Sequence, residues 1–350
     1  MTAVQKANKV LITTLVPNQK TAWTKARMDV SHILKRDGYA SMYLPELKTP
    51  GRLLMFALKL KNRISRSGHI VIEYPFDHRN RSYLLSLFSK LTGVKIYALI
   101  HDLNSIRFSN PEAKELAILN LFDGVISHNP AMTAWLAGKG FSRKLVDLDV
   151  FDYCNDETAI YHAHQMANPV KVVYAGNLSY AKATYIYDRE FNSLKNVDIS
   201  AYGAFFEAER LAGSTVKYKG VFDPDHPVLD GKYHFGLVWE GTSMETCNGE
   251  YGYYLRFNNP HKLSLYIALG LPVVIWEHAA AARFVRDQNI GVTISTLRDL
   301  QEIHSRVSNA DYETMARNVE RLSLKVKNGD YLHDALSKLV SPDTPALAGG

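Results

Sequence analysis

The chain has 350 residues, of which 46% are hydrophobic and 22% are charged, and its formal net charge is +6. This composition is typical of a soluble globular protein, and the length is sufficient for two domains. The basic excess is too small to indicate nucleic-acid binding, so we expect no nucleic-acid partner. It suits phosphate-bearing substrates or an anionic membrane surface.

The cysteines and the apolar runs indicate the compartment. Cys154 and Cys247 are far apart and belong to no partner motif, which predicts a reducing environment without disulfide or zinc. The polar start at residues 1–9 does not resemble a signal peptide, and no run is long enough to span a bilayer. We therefore expect a cytoplasmic protein.

The first half of the chain predicts alternating strands and helices. Apolar runs predict strands at residues 10–14, 40–44, 69–74, 94–100, 123–127 and 144–148. Helical patterns are found at residues 21–36, 48–67, 84–91, 112–121 and 128–138. Strand–helix–strand units of this length predict right-handed crossovers and a parallel sheet. We expect an N-terminal Rossmann-like domain at residues 1–150.

The helix predicted at residues 48–67 has a one-sided charge, with no acidic residue between Glu46 and Glu73. Its basic residues are Lys48, Arg52, Lys59, Lys61, Arg63 and Arg66. Two interpretations stay open. The helix is a solvated surface helix packed on the sheet, or it makes peripheral contact with an anionic membrane.

Polar residues follow the strand at residues 94–100. His101, Asp102 and Arg107 would stand at the carboxyl edge of the sheet, where open parallel sheets bind their ligands. Asp102 is either a general base that accepts a substrate hydroxyl or the cap of the following turn. The sequence leaves these two interpretations equally open.

The second half restarts the same pattern. Strands are predicted at residues 170–174, 198–202, 216–219, 235–239, 273–276 and 291–294, and helices at residues 260–270, 297–303 and 312–327. A polar, glycine-bearing loop at residues 241–257 is long enough to form a substrate lid or wall. We expect a C-terminal Rossmann-like domain at residues 151–340 and a flexible tail at residues 341–350.

Residues 258–276 predict a loop, a helix, a tight turn and a buried strand. Pro260 marks the helix start, where unpaired backbone N–H groups and a partial positive charge attract anions. Lys262 and Ser264 would add a cation and a hydroxyl, which suits a diphosphate. The alternative is an ordinary core helix with a solvated lysine. Gly176, at another strand exit, permits close backbone approach to a ligand or serves only a turn.

Motifs of several other enzyme classes are absent from the sequence. There is no nucleophile elbow, no Walker-type phosphate loop and no nicotinamide fingerprint. His162 and His164 have the wrong spacing to share a helix face, and no carboxylate cluster joins them. We therefore expect no metal site.

The combined motifs resemble those of the bacterial GT-B glycosyltransferases, and more closely those of the β-1,6-galactofuranosyltransferase family. That family also includes the glucosyltransferase that extends glycans on serine-rich streptococcal adhesins. The first half contributes IHD at residues 100–102, RF at 107–108 and DGVISHN at 123–129. The second half contributes YAGNL at 174–178, GLVWE at 236–240, NNPHKLS at 258–264 and ALGLPV at 268–273.

The resemblance implies an α/β fold of two Rossmann-like domains facing across a cleft, with a UDP-sugar held mainly by the second domain. The implied donor-binding residues are Gly176, Asn177, Tyr180, Lys182, Tyr202, Gly203, Ala204, Glu240, Asn258, Asn259, Lys262, Leu263 and Ser264. The acceptor-side residues are Asn18, His101 and Arg107. Asp102 is the first candidate for the catalytic base and Glu73 is the second.

The implied reaction is transfer of a hexose, galactofuranose in preference to glucose, to a saccharide acceptor on lipid or protein. We expect inversion at the transferred sugar and neither cofactor nor metal, because a helix start with Lys262 can replace a divalent cation. Two rival functions are a UDP-sugar 2-epimerase of the same architecture and a non-catalytic UDP-sugar-binding partner subunit. A homo-oligomer is compatible with each function.

Overall fold

A computed structural model of the protein describes residues 6–14, 22–44, 49–76, 79–211 and 215–341. Within these ranges the chain forms two separate sheets, each of six strands. Asn18 and the tail after Ser341 lie outside the described residues, as does Lys48. No helix within these ranges combines the length and the apolar character needed to cross a bilayer.

The first sheet is parallel throughout, and its strands follow the order β2-β1-β3-β4-β5-β6. Its strands are β1 (Ala7–Thr13), β2 (Ala40–Tyr43), β3 (Ile64–Tyr74), β4 (Lys95–Ile100), β5 (Gly124–Ser127) and β6 (Lys144–Asp147). Helices cover both of its faces, so the central strands are buried on both sides and read as continuous apolar runs.

Six helices connect these strands: α1 (Ala22–Arg36), α2 (Pro50–Arg63), α3 (Arg79–Thr92), α4 (Asn104–Arg107), α5 (Glu112–Leu119) and α6 (Pro130–Gly138). The prediction that α2 continues to Ser67 was wrong, because β3 already begins at Ile64, which pairs with Ala7 of β1. Gly68 lies so close to β1 that a Cβ atom there would be 2.6 Å from the Asn8 carbonyl oxygen.

The second sheet is also parallel and follows the order β12-β11-β10-β7-β8-β9. Its strands are β7 (Val170–Ala175), β8 (Val197–Tyr202), β9 (Lys217–Tyr218), β10 (Phe235–Val238), β11 (Val273–Trp276) and β12 (Gly291–Ile294). Gly236 lets the ring of Tyr266 lie directly on β10, since a Cβ atom at Gly236 would be 2.3 Å from that ring.

The helices of the second half are α7 (Tyr180–Ala183), α8 (Arg189–Asn192), α9 (Gly249–Tyr254), α10 (His261–Ala268), α11 (Ala282–Asp287), α12 (Ile303–Arg306), α13 (Asn309–Asn328) and α14 (Asp330–Val340). The segment 241–257, predicted as a loop, contains α9. The helix predicted at 297–303 is a 3-10 helix, Leu297–Glu302, followed by α12. Helices α7, α8, α11 and α14 were not predicted from the sequence.

Helix α14 returns to the first sheet. Its buried side chains Leu332, Ala335, Leu336 and Leu339 share one core cluster with Leu11, Val71 and Leu99. The Asp152 carboxylate accepts hydrogen bonds from the backbone N–H groups of Tyr331 and Leu332 at the start of this helix. The chain therefore crosses between its two halves once after β6 and again before α14.

Candidate active site

A cavity of about 750 Å³ lies between the two halves, at the carboxyl ends of their strands. Its lining combines residues that follow β4, β7, β8 and β10 with residues at the start of α10. Ligands of open parallel sheets bind at this edge. The lining includes Lys25, His101, Asp102, Arg107, Gly176, Asn177, Lys182, Tyr202, Gly203, Ala204, Phe205, Glu240, Tyr254, Asn258, Asn259, His261 and Lys262.

Lys262 lies in the first turn of α10, and its ammonium group forms a buried ion pair. Its Nζ is 2.9 Å from Glu240 Oε1 and donates a hydrogen bond to the Tyr174 hydroxyl at 3.0 Å. Burial alone would lower the pKa of Lys262, but Glu240 and Tyr174 hold that pKa above its usual value. Burial likewise opposes ionisation of Glu240, yet Lys262 and Lys182 keep the pKa of this carboxyl below its usual range.

Several buried polar atoms of the cavity lining have no hydrogen-bond partner among the described residues. They are Arg107 Nε, Glu240 Oε2, Asn258 Oδ1 and His261 Nε2. Buried polar groups in proteins are nearly always satisfied, because an unpaired one loses the free energy of its contact with water. A polar ligand or ordered water in the cavity would satisfy these four atoms.

Asp102, in the first half of the chain, lines the same cavity as the Lys262–Glu240 ion pair. Its Oδ2 is 2.6 Å from Arg107 Nη1, and the Tyr254 hydroxyl accepts a hydrogen bond from the backbone N–H of the next residue, Leu103. Burial raises the pKa of Asp102, although Arg107 and His101 partly oppose this shift. The alternative that Asp102 caps the following turn was wrong, because the Glu115 carboxylate accepts the backbone N–H groups of residues 104 and 105.

His101 lines the cavity, whereas Glu73 lies behind it. His101 Nε2 is 3.2 Å from Glu73 Oε1, and the ring stacks on Phe151 with centroids 5.7 Å apart. Burial and the nearby Arg27 lower the pKa of His101. The Glu73 carboxylate is fully buried and absent from the cavity lining, so it has no direct path to a substrate hydroxyl. The structure thus gives no support to Glu73 as the base.

The other implied donor-binding residues divide into two groups. Gly176, Asn177, Lys182, Tyr202, Gly203 and Ala204 line the cavity. Tyr180, Leu263 and Ser264 do not. The Tyr180 ring lies under the Arg210 guanidinium instead, and Leu263 and Ser264 are buried in the core. A diphosphate at this helix end would therefore meet the backbone of the first turn rather than the Ser264 hydroxyl.

Asn259 connects the two halves of the chain. Its Nδ2 donates to the carbonyl oxygens of His128 and Asp149, and its Oδ1 accepts from Asn129 Nδ2 at 2.8 Å. The backbone N–H of Asn259 also donates to His128 Nδ1. The side-chain amide is therefore already occupied, which makes Asn259 a bridge between halves rather than a side-chain contact for a donor.

The sequence analysis did not single out Tyr174, Tyr254, Phe205 or His261. The Tyr174 hydroxyl accepts a hydrogen bond from Lys262, and the Tyr254 hydroxyl accepts one from the backbone N–H of Leu103, next to Asp102. Phe205 lines the cavity with a left-handed backbone (φ 64°), a conformation rare for residues other than glycine. Of these four residues, only Phe205 could have been identified from the sequence, because it directly follows Gly203 and Ala204 at the end of a strand.

The described residues contain no cluster of three or more His, Cys, Asp or Glu side chains able to hold a metal ion.

Comparisons with known proteins show the family to which the chain belongs. Residues 9–150 match the family described as "Glucosyltransferase 3-like, N-terminal domain", and residues 172–339 match "Glucosyltransferase 3-like, C-terminal domain". The chain belongs to the glucosyltransferase 3-like family. This confirms the family resemblance that the sequence motifs predicted.

Two curated relatives of this glucosyltransferase 3-like protein are glycosyltransferases by name. The "Beta-1,6-galactofuranosyltransferase WbbI" of Escherichia coli (strain K12) is 34% identical over 292 residues, which cover 83% of each chain. "Glucosyltransferase 3" of Streptococcus gordonii is 24% identical, with 95% of this chain and 100% of the relative covered. This glucosyltransferase 3-like protein is therefore a glycosyltransferase, as predicted.

Solved structures show the same fold. The lipopolysaccharide outer core galactosyltransferase WaaB, in its apo form, has a TM-score of 0.62 at 11% identity and covers 94% of this chain and 99% of its own. An α-glucosyltransferase solved with UDP-glucose and DNA has a TM-score of 0.52 at 10% identity. The match covers 95% of this chain and 99% of that protein. The predicted GT-B architecture is confirmed for this glucosyltransferase 3-like protein.

Proposed function

We propose that this chain transfers galactofuranose, or otherwise glucose, from a UDP-sugar to a saccharide acceptor carried on lipid or protein. The observation that carries the proposal is the buried Lys262–Glu240 pair at the amino end of α10, beside buried polar atoms that have no hydrogen-bond partner in the described part of the chain. These groups face Asp102 across a cavity large enough for a nucleotide-sugar.

The leaving diphosphate would be stabilised at the start of α10. The backbone N–H groups of the first helical turn have no acceptor within the helix and carry a partial positive charge. The Lys262 ammonium, charged because Glu240 and Tyr174 hold its pKa high, adds a full positive charge at the same place. This arrangement supports departure of the nucleotide without a divalent cation.

Asp102 would accept the proton of the acceptor hydroxyl. As the hydroxyl oxygen bonds to the anomeric carbon, the carbon–oxygen bond to the diphosphate breaks, and the proton passes to the Asp102 carboxylate. Attack from the face opposite the diphosphate inverts the configuration. His101 and Arg107 lie beside Asp102 in the lining and would orient the acceptor. Asn18, the third acceptor-side residue, belongs to a segment outside the described ranges.

The choice of galactofuranose rests on the relatives. The E. coli relative named for galactofuranosyl transfer is 34% identical, whereas the streptococcal relative named for glucosyl transfer is 24% identical. One protein of the same fold was solved with UDP-glucose, which supports a UDP-sugar as the class of donor.

A donor screen tests the proposal. We expect UDP-galactofuranose, UDP-glucose and UDP-galactose to bind in calorimetry with EDTA present, and only UDP-galactofuranose to give full transfer to a saccharide acceptor. A strict requirement for magnesium or manganese would contradict the metal-independent mechanism. Formation of an epimer from the UDP-sugar alone would indicate the epimerase, and binding without turnover of any donor would indicate the silent subunit.

The base is tested in the same assay. Asp102→Asn should keep UDP affinity but lower the transfer rate about 10²- to 10⁴-fold, the usual contribution of a general base. Asp198→Asn, which changes a carboxylate on β8 that pairs with Lys217, is the matched control and should transfer normally. Full turnover by Asp102→Asn would exclude this residue as the base.

A further inference from the structure

Helices α2 and α3 cover the same face of the first sheet and leave large apolar side chains in solvent. Phe56 and Leu60 of α2 and Leu85 and Phe88 of α3 are buried in one core cluster. The outward side chains of the two helices are Leu54, Met55, Leu58, Tyr83, Leu87 and Leu91, which are between 42% and 77% exposed. Exposed apolar patches of this kind mark interaction sites.

The apolar side chains form continuous stripes. Leu54 and Leu58 are four residues apart on α2, and Tyr83, Leu87 and Leu91 recur every four residues on α3. Residues at this spacing lie next to each other on a helix surface. Since α2 and α3 pack against each other, their stripes belong to one surface. We call this surface the α2–α3 face.

The charge around the α2–α3 face has one sign. Its exposed basic residues are Arg52, Lys59, Lys61 and Arg63 on α2 and Lys90 on α3. Neither helix contains an acidic residue. A protein partner that matched such a surface would need an apolar centre with an acidic rim, whereas an anionic bilayer provides both features over an extended plane.

We propose that the α2–α3 face docks this protein on an anionic lipid surface. The leucines and Met55 insert among the lipid head groups and upper acyl chains, while the lysines and arginines contact the anionic head groups. The proposal rests on the surface of the first half alone and stands apart from the chemistry of the cavity. It would hold an enzyme that uses a lipid-carried acceptor close to that acceptor.

Vesicle flotation of the full-length protein tests the docking. We expect flotation with vesicles of phosphatidylcholine plus phosphatidylglycerol, little flotation with phosphatidylcholine alone, and release at high salt because salt screens exposed charges. Two variants should reduce the bound fraction at least tenfold. One is Leu54→Ser with Leu58→Ser and Leu87→Ser, and the other is Lys59→Glu with Lys61→Glu.

A matched control removes one exposed leucine and reverses one exposed lysine in the second half. Leu324→Ser with Lys325→Glu on α13 should float like the unchanged protein. Circular dichroism and thermal unfolding should be the same in every variant, which shows that each variant is folded and keeps this test independent of the proposed reaction.

Three results would overturn the proposal. The first is that the protein floats equally well with both kinds of vesicle, or with neither. The second is that the Lys59→Glu, Lys61→Glu variant floats as well as the unchanged protein. The third is sedimentation showing that the leucine variant converts an oligomer to a monomer while vesicle binding persists. That last result would mean that a second copy of the chain covers the α2–α3 face.

Discussion

The Tyr254 hydroxyl accepts a hydrogen bond from the backbone N–H of Leu103 at 2.9 Å, although the two residues are 151 positions apart in the chain. Leu103 directly follows Asp102, and the Tyr254 hydroxyl is one of the groups that lower the pKa of the Asp102 carboxyl against the effect of burial. A residue of α9, in the second half, therefore holds the backbone beside the candidate base in the first half. We expect Tyr254 to be a positioning residue for the transfer reaction.

Tyr254→Phe should change the pH dependence of transfer. The hydroxyl lowers the pKa of Asp102, so its removal should raise that pKa and move the acidic limb of the kcat/KM profile to higher pH. We expect kcat to fall by at most about tenfold, since the lost hydrogen bond to the Leu103 N–H is neutral and contributes about 0.5–1.5 kcal/mol. UDP affinity should not change.

Tyr253→Phe provides the control, because Tyr253 is half exposed and does not line the cavity. Its pH profile should match that of the unchanged enzyme. If Tyr254→Phe shifted the profile no further than Tyr253→Phe does, Tyr254 would have only a packing role.

The adjacent residues Asn258 and Asn259 should respond differently to substitution by alanine. The Asn259 amide bridges the two halves through three hydrogen bonds, so Asn259→Ala should lower the free energy of unfolding by about 2–3 kcal/mol. Asn258 Oδ1 is buried without a partner among the described residues. Asn258→Ala should therefore keep stability and weaken donor binding.

Denaturant unfolding and UDP-sugar calorimetry on both variants check this pair of expectations. Each variant serves as the control of the other, because the two changes remove the same side chain from neighbouring positions. Loss of stability in Asn258→Ala, with normal stability in Asn259→Ala, would show that the roles are reversed.

Lys262→Ala should affect both binding and stability. Loss of the ammonium group should weaken UDP affinity by about 100-fold or more, equivalent to ~2.7 kcal/mol. It would also leave the buried Glu240 charge without its ion-pair partner and with only the weaker influence of Lys182, and breaking a buried pair typically lowers stability by about 3–5 kcal/mol. The two effects can be separated by a second substitution.

Lys262→Met combined with Glu240→Gln removes both charges of the pair. Thermal unfolding should show most of the lost stability restored, whereas calorimetry should show UDP affinity as weak as in Lys262→Ala. Recovery of UDP affinity in the double variant would mean that Lys262 acts only by neutralising Glu240 and does not contact the diphosphate.

Asp152 should make stability depend on pH. Burial raises the pKa of Asp152 to about 8, although the N–H groups at the start of α14 oppose this shift. In the unfolded chain an aspartate has a pKa of about 3.9. Between these values the folded protein binds more protons than the unfolded chain, so stability falls as pH rises through this window.

Thermal unfolding measured from pH 5 to pH 9 checks the expectation for Asp152. The melting temperature should decrease over this range, and the decrease should be smaller in Asp152→Asn, which cannot ionise at this position. An identical slope in both proteins would assign the pH dependence to other groups. Asp198→Asn, at a carboxylate paired with Lys217 near the surface, should keep the original slope.

Local sequence patterns were sufficient for most of the fold. The apolar runs predicted the inner strands of both sheets, because a strand buried on two faces must be apolar along its length. The exposed edge strand β9 lies within the strand predicted at residues 216–219. Helix ends were less certain. The sequence pattern of residues 64–67 continues the preceding helix, but the pairing of Ile64 with Ala7 places these residues in β3. The α9 helix was missed because its glycines and tyrosines have weak helical propensity.

The sequence by itself determined the two-sheet architecture, the family, and the position of Lys262 and Asp102 at strand and helix ends. These features follow from backbone periodicity and from loop residues close together in the chain. Only the tertiary structure decided which side chains reach the cavity. It buried Glu73 and Ser264, assigned the Asn259 amide to the contact between halves, and brought Tyr254 to Asp102. Such contacts join distant parts of the chain, and the direction of a side chain there depends on packing that no local pattern specifies.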